Sequence, residues 1–513
     1  MVAKRSHFHS SSGRPQPPFS FSSSDEENVF ASTYLSQGEL ALLKGDLKGL
    51  ELFEKATELD PSNPDIFYRQ GLALFEYGSG EGKEKALHLA AKKFKTALHI
   101  APSYFDAWQA WGNTLSLLGE TFGEHHYFIE AEEKLKKALE FIASKPQDLQ
   151  AELYWDYGKV WMQIAKNSGE AADLQKALDA FQRSFETQHP LPQEFWNDFG
   201  VACLEMADRV NDPRHITKAI DCFKQAVSQA LTSFEGWLLL ARSMNLLYQR
   251  THDEDHFTQA HECFSAAAHL RPYSLELWHE WALVLLEAGR RTRDIKRLRA
   301  CTDKCQRGYV FNAKHPELLA TWAEALSTLG ELTDRIDLLY EGQNKITEAL
   351  DLSQEEIPSV WHSYGKCLFS WGLYFDDFDY YYQAIEQFQE GISLDRRRHQ
   401  DWHGIAQVYT KIGDADDDIA AFEKAAKFYA KAVDLKPVIS YYFEYAYTLS
   451  RLGEMKQDAQ ILNQAVTYFE YTLQTQKNAL YIHPEWLYHY AITLDILGDF
   501  HEFDELSYQK ALE

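Results

Sequence analysis

The sequence predicts an all-α protein, a right-handed α-solenoid of about twelve helix pairs. Three observations predict it. Small residues recur at Gly38, Gly71, Gly112, Gly158, Gly200, Ala241, Ala282, Ala323, Gly365, Ala406, Ala446 and Ala491, spaced by 33, 41, 46, 42, 41, 41, 41, 42, 41, 40 and 45 residues. A fixed period of about 20–50 residues marks stacked supersecondary units. Tryptophan stands four residues before six of them, as Trp108, Trp196, Trp237, Trp278, Trp361 and Trp402. A second stripe keeps step: Ala90, Ala131, Ala177, Ala219, Ala260, Ala384, Ala425 and Ala465 lie nineteen residues after the small residue. Phe94, Phe181, Phe223, Phe264, Phe388, Tyr429 and Phe469 lie twenty-three after it, and Ala97, Ala138, Ala226, Ala267, Ala349 and Ala432 twenty-six after it. Small, aromatic and small residues at steps of four and three share one helix stripe, so each unit is a helix pair.

The elements follow in order. Residues 1–28 are Ser/Pro-rich and are expected to be disordered, with the repeat array over 29–513. The first unit, "YLSQGELALLKGDLKGLELFEKATELDPSNP", is the shortest. From the second onward each carries about seven residues more, close to two helical turns, so each helix lengthens by a turn without rotating its buried stripe. The added residues sit at the hinge between the two helices: "YGSGEGKEK", "KNSGEAAD", "RVNDPRHI", "RTHDEDHF" and "IGDADDD". Pro102, Pro272 and Pro437 close three of the units. Asp65, Asp106, Glu152, Glu194, Glu235, Glu276 and Glu317 all lie six residues before the small residue, where a first-turn carboxylate complements the helix dipole. "SYQKALE" stops where the second helix of the twelfth unit should continue: either the chain is a piece of something longer or that helix is a short cap.

The pattern W-x-x-x-G, then A-x-x-x-F-x-x-A, then Pro, resembles the tetratricopeptide repeat (TPR) family over roughly residues 30 to 513. The units exceed that family's length of about 34 residues. The resemblance implies TPR-like helix pairs and a protein-binding scaffold. A partner peptide would lie along the surface lined by the first helix of each pair, at positions three before, one and four after the small residue. Three before gives Gln109, Asn197, His279, His362 and His403 among the polar candidates; one after gives Asn113, Lys159, Arg242, Lys366 and Gln407. Members that grip a terminal carboxylate use Lys then Asn at these two positions. Here only Asn113 matches, beside Gln109, and no matching Lys and Arg follow, so that function is rejected.

Composition excludes several classes. With 51 basic and 77 acidic residues the formal charge is −26, a field that repels phosphate backbones and anionic membranes. No apolar run approaches a bilayer span, which excludes membrane insertion, and the N-terminus has no signal-peptide core. Six cysteines are too sparse for a disulfide framework, which points to a reducing, cytoplasmic setting.

Sharper motifs lose to plainer readings. "YGSGEGKE" has Tyr77 where a phosphate loop needs Gly and Glu84 where it needs Ser or Thr, so it is a hinge. Cys301 and Cys305 fall on core slots, as do Cys222 and Cys263. "HDEDH", with His252 and His256, lacks a third His or Cys ligand nearby. No nucleophile elbow or dinucleotide loop occurs, so no catalytic residue, metal or cofactor is expected. The recurring tryptophans are core rather than a ligand cage.

One stretch reverses the charge. Residues 290–307 carry eight cations against Asp294 and Asp303, and Arg290, Arg291, Arg293, Lys296, Arg297 and Arg299 form a candidate basic patch for an acidic partner or for self-association. Since hinge residues bury little, reversing the first three arginines is expected to spare the fold. The reading is a non-enzymatic scaffold for protein or peptide partners. The alternatives are a chaperone or regulator of a secretion system, the recognition arm of a longer enzyme, and an RNA-processing array of related repeats.

Overall fold

The computed structural model describes residues 23–475 and 484–500, apart from 82, 211 and 252. Among them run twenty-three α-helices and no strand. By contacts the chain divides into two compact units, residues 1–215 and 216–513. The first unit contains the pairs α1 (Ser23–Leu43) with α2 (Gly49–Leu59), α3 (Pro64–Glu81) with α4 (Glu84–Ile100), and α5 (Phe105–Phe122) with α6 (His125–Leu139). It continues with α7 (Gln147–Ser168), α8 (Ala171–Glu186) and α9 (Gln193–Val210). Helix α10 (Pro213–Gln229) spans the boundary. The second unit pairs α11 (Phe234–Thr251) with α12 (Glu254–Leu270), α13 (Leu275–Arg291) with α14 (Ile295–Phe311), and α15 (Pro316–Thr333) with α16 (Ile336–Ser353). There follow α17 (Pro358–Phe375) with α18 (Phe378–Leu394), α19 (His399–Asp416) with α20 (Ile419–Leu435), α21 (Ile439–Lys456) with α22 (Ala459–Thr475), and finally α23 (Pro484–Phe500).

Helix α1 already begins at Ser23, ahead of the boundary expected at residue 29; "SFSSSDEEN" contains no Gly or Pro to stop it. Residues 1–22, and "SYQKALE" at the other end, lie outside the described residues. Glu152 also departs from expectation. Because α7 starts at Gln147, Glu152 falls in its second turn, and the first-turn acid is Asp148.

Where the small residue is glycine, it meets the large side chain of the second-helix stripe in several pairs. A Cβ added to Gly71 would lie 2.5 Å from the Phe94 ring, and one on Gly158 would lie 2.8 Å from Phe181. Gly112 stands against Leu135 and Gly365 against Phe388 in the same way. All the Ala and aromatic positions of the second-helix stripe are buried. A second rung lies seven residues further along the first helix. Gly78 meets Leu87, Gly119 meets Phe128, Gly289 meets Leu298, Gly330 meets Leu339, Gly413 meets Phe422 and Gly453 meets Leu462. These rungs are what the lengthened units add. The hinge segments are therefore largely helical, and from the third pair onward, where the turn is described throughout, it is two or three residues.

The recurring tryptophans pin the loops between pairs. Each indole Nε1 donates to the carbonyl six residues before it: Trp108 to Pro102 (2.9 Å), Trp237 to Leu231 (2.9 Å), Trp278 to Pro272 (2.7 Å), Trp361 to Glu355 (2.9 Å) and Trp402 to Arg396 (3.3 Å). Trp196 holds the same position, but its buried Nε1 finds no acceptor among the described residues.

Candidate functional site

The polar candidates on the first helices meet one another through a position that carries no sequence signature. This is the residue two before the small residue. In the first unit, Arg69 of α3 pairs with Glu39 of α1 at 2.8 Å. Asp156 of α7 accepts from Gln109 Nε2 (2.9 Å) and Asn113 Nδ2 (2.7 Å) of α5, and pairs with Lys159 Nζ at 2.9 Å. Three candidates thus converge on one carboxylate. Burial opposes the charge of Lys159, yet Asp156, with Asp198 and Glu120 nearby, outweighs it and holds the ammonium above its ordinary pKa. Trp155 donates to Asp198 of α9 at 2.8 Å, and burial pushes that carboxyl upward. Asn197 stands apart from these three, its buried Oδ1 without a partner among the described residues.

The second unit repeats the arrangement. Arg242 of α11 grips Glu280 of α13 through two nitrogens and Glu276 through one (2.9 Å). Glu324 of α15 receives Arg290 of α13 and the Ser363 hydroxyl of α17 (3.1 Å). Gln407 of α19 donates to Glu444 of α21 at 3.0 Å. In each of these joints the residue one after the small residue meets the residue two before the next. At α19 that second position is Gly404, with no side chain, so Lys366 of α17 reaches past it to Gln407 Oε1 at 2.7 Å.

The residues three before the small residue join the same rail. His279 lies 3.2 Å from the Thr321 hydroxyl, His362 Nδ1 lies 2.6 Å from Asp401, and His403 Nε2 lies 2.9 Å from Glu444. Arg398 also bonds Asp401 at 2.7 Å. His362, Lys366, His403 and Gln407 therefore form one cluster around two carboxylates. Burial disfavours charge on Glu444, but His403, Gln407 and the Tyr429 hydroxyl all bond it, and its pKa sits below the usual carboxylate range. Burial, then Arg290 nearby, lowers the Lys366 pKa to about 7. Burial, then His315, takes His279 down to about 4.

The basic stretch is mostly tied to its neighbours. Besides Arg290, Arg293 bonds Glu331 at 2.7 Å, and Arg297 bonds Glu254 and the Tyr248 hydroxyl (2.9 Å). Arg291 lies over the Tyr248 ring at 4.8 Å. Lys296 and Arg299 are exposed. The expectation that these hinge arginines bury little is corrected at Arg290, whose partner Glu324 is buried. Among the described residues no three His, Cys, Asp or Glu side chains gather as metal ligands; His252 of "HDEDH" lies outside them.

No protein-family model matches the chain, and no curated protein matches it. Solved structures similar to it include yeast Tom70, with 14% identity over 95% of this chain and 100% of that one, at a TM-score of 0.44. Human IFIT1, a dimer with m7Gppp-AAAA, shows 15% identity over 79% of this chain and 87% of that one, at a TM-score of 0.42. A thermophilic TPR protein of Thermus thermophilus shows 17% identity over 42% and 98%, at 0.30. The class rests on the chain's own geometry: an all-α array of TPR-like helix pairs, several of them locked by a glycine against an aromatic or leucine side chain. No described helix is long and apolar enough to cross a membrane.

Proposed function

We propose that the chain is a non-enzymatic scaffold that holds protein or peptide partners along the face formed by its first helices. One observation carries the reading. Two cations of that face are held in place yet remain partly open: Lys159, paired with Asp156 of its own helix, and Arg242, bonded to Glu276 and Glu280 of the next first helix, have side chains 41% and 39% exposed. Groups already held in place lose little entropy when a partner binds, so such a rail suits recognition of an extended or helical segment. All six cysteines are buried thiols, which supports a reducing, cytoplasmic setting. Affinity capture with the parent chain and with Lys159→Ala and Arg242→Ala, followed by mass spectrometry, tests the proposal. Partners should be lost from the variants while their melting temperatures stay near the parent's. An identical partner set from all three chains rejects this face.

A further inference from the structure

The hinge end of the eighth and ninth pairs carries a surface separate from the first-helix rail. "SWGLYFDDFDYYY", residues 370–382, places seven aromatics in thirteen residues. Tyr381 turns into the core and Phe378 packs against it. Three others build a slab with Tyr340 of α16. The Trp371 ring meets Tyr340 edge-on at 5.3 Å, Phe375 at 5.7 Å and Tyr380 at 5.5 Å, while Phe375 stacks on Tyr380 at 5.7 Å. Trp371 is buried as the floor. Tyr340 and Phe375 above it are 54% and 40% exposed. Scattered surface aromatics need no explanation, but a contiguous slab does.

The rim decides what fits. Asp334 in the α15–α16 turn, Asp376 and Asp377 in the α17–α18 turn and Asp379 in the first turn of α18 lie in the same hinge segments and are exposed, and the cation beside them, Arg335, is paired with Asp337. Aromatic faces attract cations, and here these carboxylates and the −26 charge of the chain act in the same sense. We propose that this slab docks a short arginine-bearing segment of a partner protein, with guanidinium groups over Tyr340 and Phe375 and the aspartates at its edges. An acidic or purely apolar partner would leave the rim uncompensated.

The probe is the amidated heptapeptide Arg-Pro-Pro-Arg-Pro-Pro-Arg, whose prolines hold it extended, titrated calorimetrically into the full chain. Saturable binding is expected, weakening with salt, and absent for the same peptide with Glu in place of Arg. Tyr340→Ser with Phe375→Ser should weaken it about tenfold. Asp334→Asn with Asp376→Asn should weaken it and flatten its salt dependence; asparagine tolerates the left-handed backbone of both sites, so this variant serves if the aromatic one misfolds. The proposal is overturned if the parent does not bind the peptide, or if both double variants bind it as the parent does. The latter result would mean that the general negative field holds it.

Discussion

At Gly365 an added Cβ would lie 2.6 Å from the Phe388 ring. Several pairs use Ala at the same position, as with Ala406 against Tyr429, so the packing admits a methyl where the facing ring stands back. Gly365→Ala is therefore expected to cost about 1–3 kcal/mol as an overpacked contact, readable by urea denaturation. Removing the ring is worse. Phe181 is fully buried against Gly158, Phe195 and Phe199, and Phe181→Ala should cost about 3–5 kcal/mol. Both effects belong to single side chains. A loss below about 1 kcal/mol at Phe181 would show that the pair closes around the gap.

The hinge is where the elements are least legible in the sequence. Asp334, Asp376, Asp417 and Gln457 end their helices in the left-handed region, with φ of 50–54°. The next residue often caps the following helix: Asp458 accepts from the amides of Gln460 (2.8 Å) and Ile461 (3.4 Å). Gln457→Gly should raise stability by about 0.5–1 kcal/mol, since glycine adopts that conformation without strain. Asp458→Ala should lower it by about 1 kcal/mol, and thermal melts of the two variants should move in opposite directions. The period and the Ala/aromatic stripe are readable because tertiary packing repeats them as residue types. The second rung is readable too, as Gly seven residues after the small residue, but its signal lies inside segments whose polar, Gly-bearing composition reads as loop. The rail residues two before the small residue escape for another reason. Their position holds Arg69, Asp156, Glu280, Ser363 and Glu444 in different pairs, so no single residue type marks it. Arg290 escapes as well, because nothing in the hinge sequence marks its reach to Glu324 on the next first helix. Arg290→Glu would set a carboxylate against buried Glu324 and should destabilise by about 3–5 kcal/mol, whereas Arg299→Glu should stay within about 0.5 kcal/mol. Equal melting temperatures for the two would restore the view of the stretch as a solvated face.

Stability as a whole should fall on acidification, for reasons gathered in the second unit. His279 and His399 have folded pKa values of about 4, with burial the largest cause for each. An unfolded histidine titrates near about 6.5. Between those values the unfolded chain takes up protons that the folded chain refuses, so stability declines as pH drops from about 6.5 to about 4. Glu444 adds to the decline below its ordinary carboxylate range. Its folded pKa is depressed, so the stability it gives is present above the unfolded pKa and lost as pH falls through the folded one. Urea midpoints measured from about pH 8 to about pH 4 should show the slope, and His279→Gln with His399→Gln should flatten its upper part. An unchanged slope in that double variant would place the acid sensitivity elsewhere.

The rail along the first helices also makes the pairs unlike one another where they touch. Glu39 expects Arg69, Asn113 expects Asp156, Arg242 expects Glu280, Glu324 expects Ser363 and Gln407 expects Glu444. The hydrophobic stripes would accept almost any neighbour, because their small and aromatic residues recur from pair to pair. The polar joints would not. Excising residues 254–294, which removes α12 and α13 and keeps the repeat in phase, would set Thr321 where Glu280 stands and leave the Arg242 guanidinium without that carboxylate. The joints therefore act as an address for each pair, fixing the order of units that their cores alone would leave interchangeable.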